Sequence, residues 1–213
     1  MQITSLTLFT PDVGRAARHY RDTLGLRLNE QTPKHISFQV GWSRLTFQQA
    51  DGPLPSVYHV AFGVPVNSIG IARTWLESRA ALLRDESGET VFQFSDWRAR
   101  SIYWKDPDGN ILELIAAEDD RQPSTRTPLT AADLPGVAEI GLAVPDVHAF
   151  VEHVAAEHGV APFGEVSETF TPVGETVYGR LIVVKTGRLW FPELSAPALP
   201  MPTIVEINGR RLT

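Results

Sequence analysis

Two residues of this sequence pair a chemistry-bearing side chain with surroundings that hold it still. They are His59, in Tyr58-His59-Val60-Ala61-Phe62, and Glu113, in Asn110-Ile111-Leu112-Glu113-Leu114. Imidazole nitrogen and carboxylate oxygen suit a hard or borderline divalent ion, and neighbouring strands can present both donors rigidly on one face. The plainer readings are a histidine satisfied by a hydrogen bond and a glutamate that strand alternation turns to solvent. Glu139, ahead of Ile140-Gly141-Leu142, is a third carboxylate, and on the same alternation it would face solvent. His148, His153 and His158 do not form a cluster, because a spacing of five carries each one well round the helix they share. The chain has no cysteine, which excludes disulfides, thiolate metal sites and cysteine nucleophiles. Gly-x-Ser-x-Gly, His-Glu-x-x-His and Gly-rich phosphate loops are also missing, so hydrolases of those classes and nucleotide enzymes have no support.

The elements that must position these residues recur along the chain. Ser5 to Val13, His59 to Asn67 and Glu139 to Val147 each read as a short apolar strand halted by a proline, at Pro11, Pro65 and Pro145. A helix is predicted after each. Val147, Phe150, Val151 and Val154 fall at i, i+3, i+4 and i+7, with Gly159 placed to close the helix. Ala16, Tyr20 and Leu24 share a face ahead of Gly25, and Ile71, Trp75 and Leu76 follow Asn67 as N-cap. Strand chemistry comes next: Ile36 to Val40 with Arg44 to Gln48, Ile102 to Trp104 with Ile111 to Ile115, and Arg180 to Val184 with Arg188 to Phe191. The turn Asp106-Pro107-Asp108-Gly109 carries a strong hairpin signal, since Pro107 presets the first turn position and Gly109 tolerates positive φ. Thr203 to Ile207 reads as a final strand that could complete the third sheet.

These motifs resemble the vicinal oxygen chelate superfamily, the glyoxalase, bleomycin-resistance and extradiol dioxygenase group. The resemblance rests on Lys105-Asp106-Pro107-Asp108-Gly109-Asn110-Ile111-Leu112-Glu113-Leu114, similar to the family's last hairpin, and on Tyr58-His59-Val60-Ala61-Phe62, similar to its first strand. It implies an α+β fold in which paired βαβββ modules form a curved-sheet cleft. The expected organisation is a pair at 1–117 (1–50 and 57–117), a polar linker at 118–136 and a third βαβββ module at 137–213. An unpaired third module would expose a sheet face, so it is expected to pack on the first pair or on its counterpart in a homodimer.

The resemblance further implies a divalent metal ion, Fe, Mn, Zn or Ni, held by His59 and Glu113, with Glu139 as a third ligand and Glu113 also catalytic. The remaining positions of a cleft between the first two modules fall on Ser5 and Thr46, neither a convincing ligand. Trp97, between Asp96 and Arg98, is expected near the cleft mouth. Two functions follow: a metal-dependent lyase or extradiol dioxygenase acting on a small oxygen-rich or aromatic molecule, or a metal-free small-molecule binding protein of the bleomycin-resistance kind. The 213 residues, 43% of them apolar, suit a globular protein. A net charge of −6 without basic blocks speaks against nucleic acid, and no apolar run suits a membrane span or signal peptide, so the expected place is the cytoplasm.

Overall fold

The computed structural model describes residues 1–120, 128–175, 177 and 179–212. The first unit opens with β1 (Ile3–Thr10), which stops at Pro11 as expected. Asp12 then caps α1 (Val13–Ala17) by accepting the Arg15 N–H, and a wider π-type turn over Arg18–Thr23 continues it to Gly25. β2 (Arg27–Gln31), β3 (His35–Val40) and β4 (Ser43–Gln49) follow. In the second unit come β5 (His59–Gly63), α2 (Ile69–Glu77), β6 (Phe92–Phe94), β7 (Ala99–Lys105) and β8 (Ile111–Ala117). Ser68 rather than Asn67 stands at the N-cap of α2. The third unit comprises β9 (Val137–Val144), α3 (Val147–His158), β10 (Phe170–Glu175) and β11 (Gly179–Lys185), and β12 (Thr203–Ile207) and β13 (Arg210–Arg211) end the chain.

The architecture is α+β with curved sheets, as the motifs imply, but the units pair differently from the expectation. The second and third units, not the first and second, share a sheet, in the order β10-β11-β9-β5-β8-β7-β6. Their first strands, β5 and β9, run antiparallel along the seam. The first unit forms the sheet β13-β12-β1-β4-β3-β2, in which β12 lies antiparallel on β1, so the tail strand completes the first sheet and not the third. Thr203 to Ile207 alternates like any half-buried strand, and alternation does not name the partner. The third unit thus finds its mate within the chain, and its pairing needs no second copy.

A second difference concerns the last strand of the third unit. β4 runs parallel to β1 and β8 parallel to β5, and in the third unit β11 does the same on β9. Arg188 to Phe191 is therefore not the closing strand; it enters a turn, and Leu189 only bridges Pro197. The expected linker is partly structural. Leu129, Ala131 and Leu134 are buried, and the Trp42 N–H donates to the Pro135 carbonyl, while the linker residues 121–127 lie outside the described residues.

One main apolar core joins both sheets. Leu6, Leu8 and Phe47 of the first unit belong to it with Val60, Phe62, Leu112 and Leu114 of the second and Ile140 and Val183 of the third. Because side chains alternate along a strand, these residues turn the opposite faces of β5, β8, β9 and β11 away from the core, and the site lies there. No helix among the described residues is long and apolar enough to cross a membrane.

Candidate metal centre

The sheet order β9-β5-β8 sets three side chains on one surface. Glu113 of β8 and Glu139 of β9 are both in register with Ala61 of β5, one on each side. His59 lies two residues back from Ala61 and so projects from the same face. Ala61 is completely buried, and its methyl group fills little of the space between the carboxylates. His59 Nε2 is 3.0 Å from Glu113 Oε2, and one donor atom from each of His59, Glu113 and Glu139 lies within 4.8 Å of the others. An ion about 2.1 Å from each donor would hold them roughly 3–4 Å apart, within reach of small side-chain rotations.

Both carboxylates are only 2% exposed and His59 7%. Glu113 and Glu139 therefore do not face solvent as the plainer reading had it. Burial pulls the His59 imidazole down, but the hydrogen bond to Glu113 and the charges of Glu113 and Glu139 outweigh it and raise the pKa. Burial raises Glu139, opposed by the Arg180 guanidinium and reinforced by Glu113. Arg180, itself 2% exposed and opposite Glu139 in the β9/β11 ladder, forms an ion pair with Glu139 Oε1. Arg180 thus pairs with Glu139, while Glu113 has the His59 imidazole as its partner. Two buried carboxylates beside a single imidazole, the N/O donor set and an unpartnered His59 Nδ1 free to take a supporting contact all fit a divalent cation.

Above the triad is a cavity of about 180 Å³, walled by Phe94, Trp97, Tyr103, Phe170, Trp190 and Phe191, with Ile182 and Arg188. Ile182 occupies the place on β11 that corresponds to Glu113 on β8. Ile111 pairs with His59 and Glu113 lies two residues on, just as Arg180 pairs with Glu139 and Ile182 lies two residues on. Three donors and one apolar position therefore surround the point where an ion would sit.

The family's sequence profile, described as Glyoxalase/Bleomycin resistance protein/Dioxygenase superfamily, matches residues 2–178. The chain belongs to this superfamily. No curated protein matches the sequence significantly. Among solved structures, a dioxygenase-like protein from Bacillus subtilis superposes with a TM-score of 0.61 at 16% identity, covering 99% of this chain and 68% of its own. A glyoxalase I mutant from Zea mays gives a TM-score of 0.54 at 15% identity, covering 86% of this chain and 67% of its own. At such identities the likeness is one of fold.

Within the superfamily's architecture, the change of pairing decides which sequence candidates meet. His59, Glu113 and Glu139 converge because the second and third units share a sheet. Ser5 on β1 and Thr46 on β4 belong to the other sheet and do not line this cavity. Trp97 does line it, stacked on Phe170 with centroids 5.8 Å apart. Arg180, Arg188, Ile182, Phe170 and Trp190 escaped the sequence reading as site residues. Arg180 left a usable signal, a charge at the head of the apolar run Leu181-Ile182-Val183-Val184. Arg188 follows the Lys185-Thr186-Gly187 turn, where an arginine looks like ordinary surface. Gly141 on β9 explains Trp190: a Cβ there would come within 2.5 Å of the indole, so the missing side chain admits the ring beside His59.

Proposed function

We propose that this protein is a metal-dependent enzyme of the glyoxalase or extradiol dioxygenase type, with His59, Glu113 and Glu139 holding one divalent ion. One observation carries the reading. Three buried N/O donors converge while the fourth strand position is Ile182, and three protein ligands with an open place characterise catalytic rather than structural metal sites. When bound, the ion would supply Lewis acidity to two neighbouring oxygens of a small substrate.

The chain's own residues do the rest. Arg180 fixes Glu139 in one orientation through their ion pair, so that donor is set before an ion arrives. The aromatic walls keep water from the bound molecule and present flat surfaces to a ring. Glu113, whose Oε2 lies 3.0 Å from His59 Nε2, lines the cavity, where a carboxylate can take a proton from a substrate held there. The same aromatic walls would serve a metal-free binding protein, and metal content separates the two readings.

The test is metal analysis of protein purified without added ions and after incubation with Mn, Fe, Zn or Ni salts, repeated on His59→Ala, Glu113→Gln and Glu139→Gln. About one equivalent in the wild type and a large loss in each variant are expected. Equal trace metal in all four proteins would leave the cavity as a metal-free binding pocket.

A further inference from the structure

The cavity wall holds a layered stack that the metal reading leaves unexplained. The Arg180 guanidinium lies 4.7 Å from the Trp97 ring centroid, Trp97 stacks on Phe170 at 5.8 Å, and the Arg188 guanidinium lies 4.9 Å from Phe170. The two cations at the ends of this stack have different employment. Arg180 is paired with Glu139, whereas Arg188 lines the cavity and no ion pair to it is present among the described residues. Partial burial lowers the Arg188 pKa, with no carboxylate to oppose the shift. A guanidinium losing water without an anion is costly unless a ligand supplies one, and its planar fork is shaped for carboxylate.

Charge and size point the same way. A divalent ion would cancel Glu113 and Glu139, leaving Arg180 and Arg188 as a cationic remainder in a largely apolar space. A cavity of about 150 Å³ accommodates benzene, so the 180 Å³ here suits one ring with a small substituent. We infer that the ligand is a single-ring aromatic anion, with its ring against the aromatic wall of the cavity beside Tyr103 and Trp190 and its carboxylate on Arg188. This deepens the proposed function and rests on its reading of the cavity as the ligand site. Arg188 is then the residue that selects acids over neutral rings.

The experiment compares benzoate with benzamide, its neutral isostere, by calorimetric titration of protein in metal-supplemented buffer. Wild type is set against Arg188→Met and Arg188→Lys, and a thermal melt checks that each variant is folded. The quantity read is the benzoate-to-benzamide affinity ratio in wild type divided by that ratio in the variant, which cancels any contact between carboxylate and ion. Wild type should prefer benzoate by roughly 10- to 100-fold, the preference should vanish in Arg188→Met, and Arg188→Lys should keep part of it. Equal binding of the two probes by wild type overturns the inference, as does an undiminished preference in Arg188→Met or a failure of both probes to bind. Metal content, measured in parallel, reports on the other reading. An Arg188-dependent preference without bound metal would remove the enzyme and keep the acid-binding site, while bound metal without the preference would do the reverse.

Discussion

Among the described residues, Arg180 is the guanidinium paired with Glu139, and this makes its removal informative. Arg180→Met would leave Glu139 without its guanidinium partner, across Ala61 from Glu113, and breaking a buried pair from one side costs about 3–5 kcal/mol. A divalent ion can replace the missing charge. Added Mn or Zn is therefore expected to raise the melting temperature of Arg180→Met by more than it raises that of the wild type; equal shifts would mean that ions do not reach the carboxylates. A second residue gives a pH dependence away from the cavity. His19 is 8% exposed, its Nε2 has no hydrogen-bond partner, and burial, only partly opposed by Asp108, lowers its pKa to about 4. An unfolded histidine titrates near 6.5, so between these values the unfolded chain binds the extra proton. Stability from the neutral ring is present above pH ~6.5 and is lost as pH falls towards 4, by on the order of 3 kcal/mol in total. Urea titrations across this window should show a flatter acid slope for His19→Gln than for the wild type.

At the scale of elements, the Asp106-Pro107-Asp108-Gly109 turn, the most specific motif in the sequence, acts as a joint. Asp106 Oδ1 accepts the N–H groups of Asp108 and Asn110, and Oδ2 accepts from the Asn110 amide and the Tyr20 hydroxyl of the first unit. Asp108 adds hydrogen bonding from Thr10 and an ion pair with Arg15. Asp106→Ala would strand several buried donors at once, at about 1–3 kcal/mol each. The expected loss of roughly 3–5 kcal/mol, read by urea denaturation, should exceed that of Asp106→Asn, which keeps an acceptor oxygen. The elements themselves were legible because their signals are local. Proline stops, the closing glycines Gly25 and Gly159, and the i, i+3, i+4 pattern of α3 place strands and helices where they occur. Pairing was not legible, because β5 on β9 and β12 on β1 join segments far apart in sequence, and no residue pattern distinguishes one half-buried partner strand from another. The same limit explains the site. His59 and Glu113 stand out through a motif, but only the β5–β9 seam shows that Glu139 completes the group while Ser5 and Thr46 lie elsewhere.

On the scale of the whole molecule, a shared core and side-chain joints couple the two sheets. Tyr58, next to His59, donates its hydroxyl to the Pro202 carbonyl and accepts the Phe9 N–H, so the strand that carries His59 is tied to both β1 and the approach to β12. Burial of that hydroxyl raises its pKa to about 12, and it stays protonated at any pH at which the protein is handled. On β12, Val205 and Ile207 are buried in the same core as Val60 and Phe62. Val205→Ala with Ile207→Ala removes apolar volume worth about 2–5 kcal/mol for each large-to-small change, a large part of the 5–15 kcal/mol that holds an ordinary domain together. These positions are in the six-stranded sheet, whereas four of the five tryptophans, Trp75, Trp97, Trp104 and Trp190, lie outside it, two of them lining the cavity. The double variant is expected to unfold in a single transition at lower urea, with tryptophan fluorescence and far-ultraviolet circular dichroism coinciding, and to lose the cavity as it loses the tail. If the fluorescence transition kept its wild-type midpoint while part of the dichroism signal melted early, β12 would be a dispensable edge and the cavity would belong to an independent half of the chain.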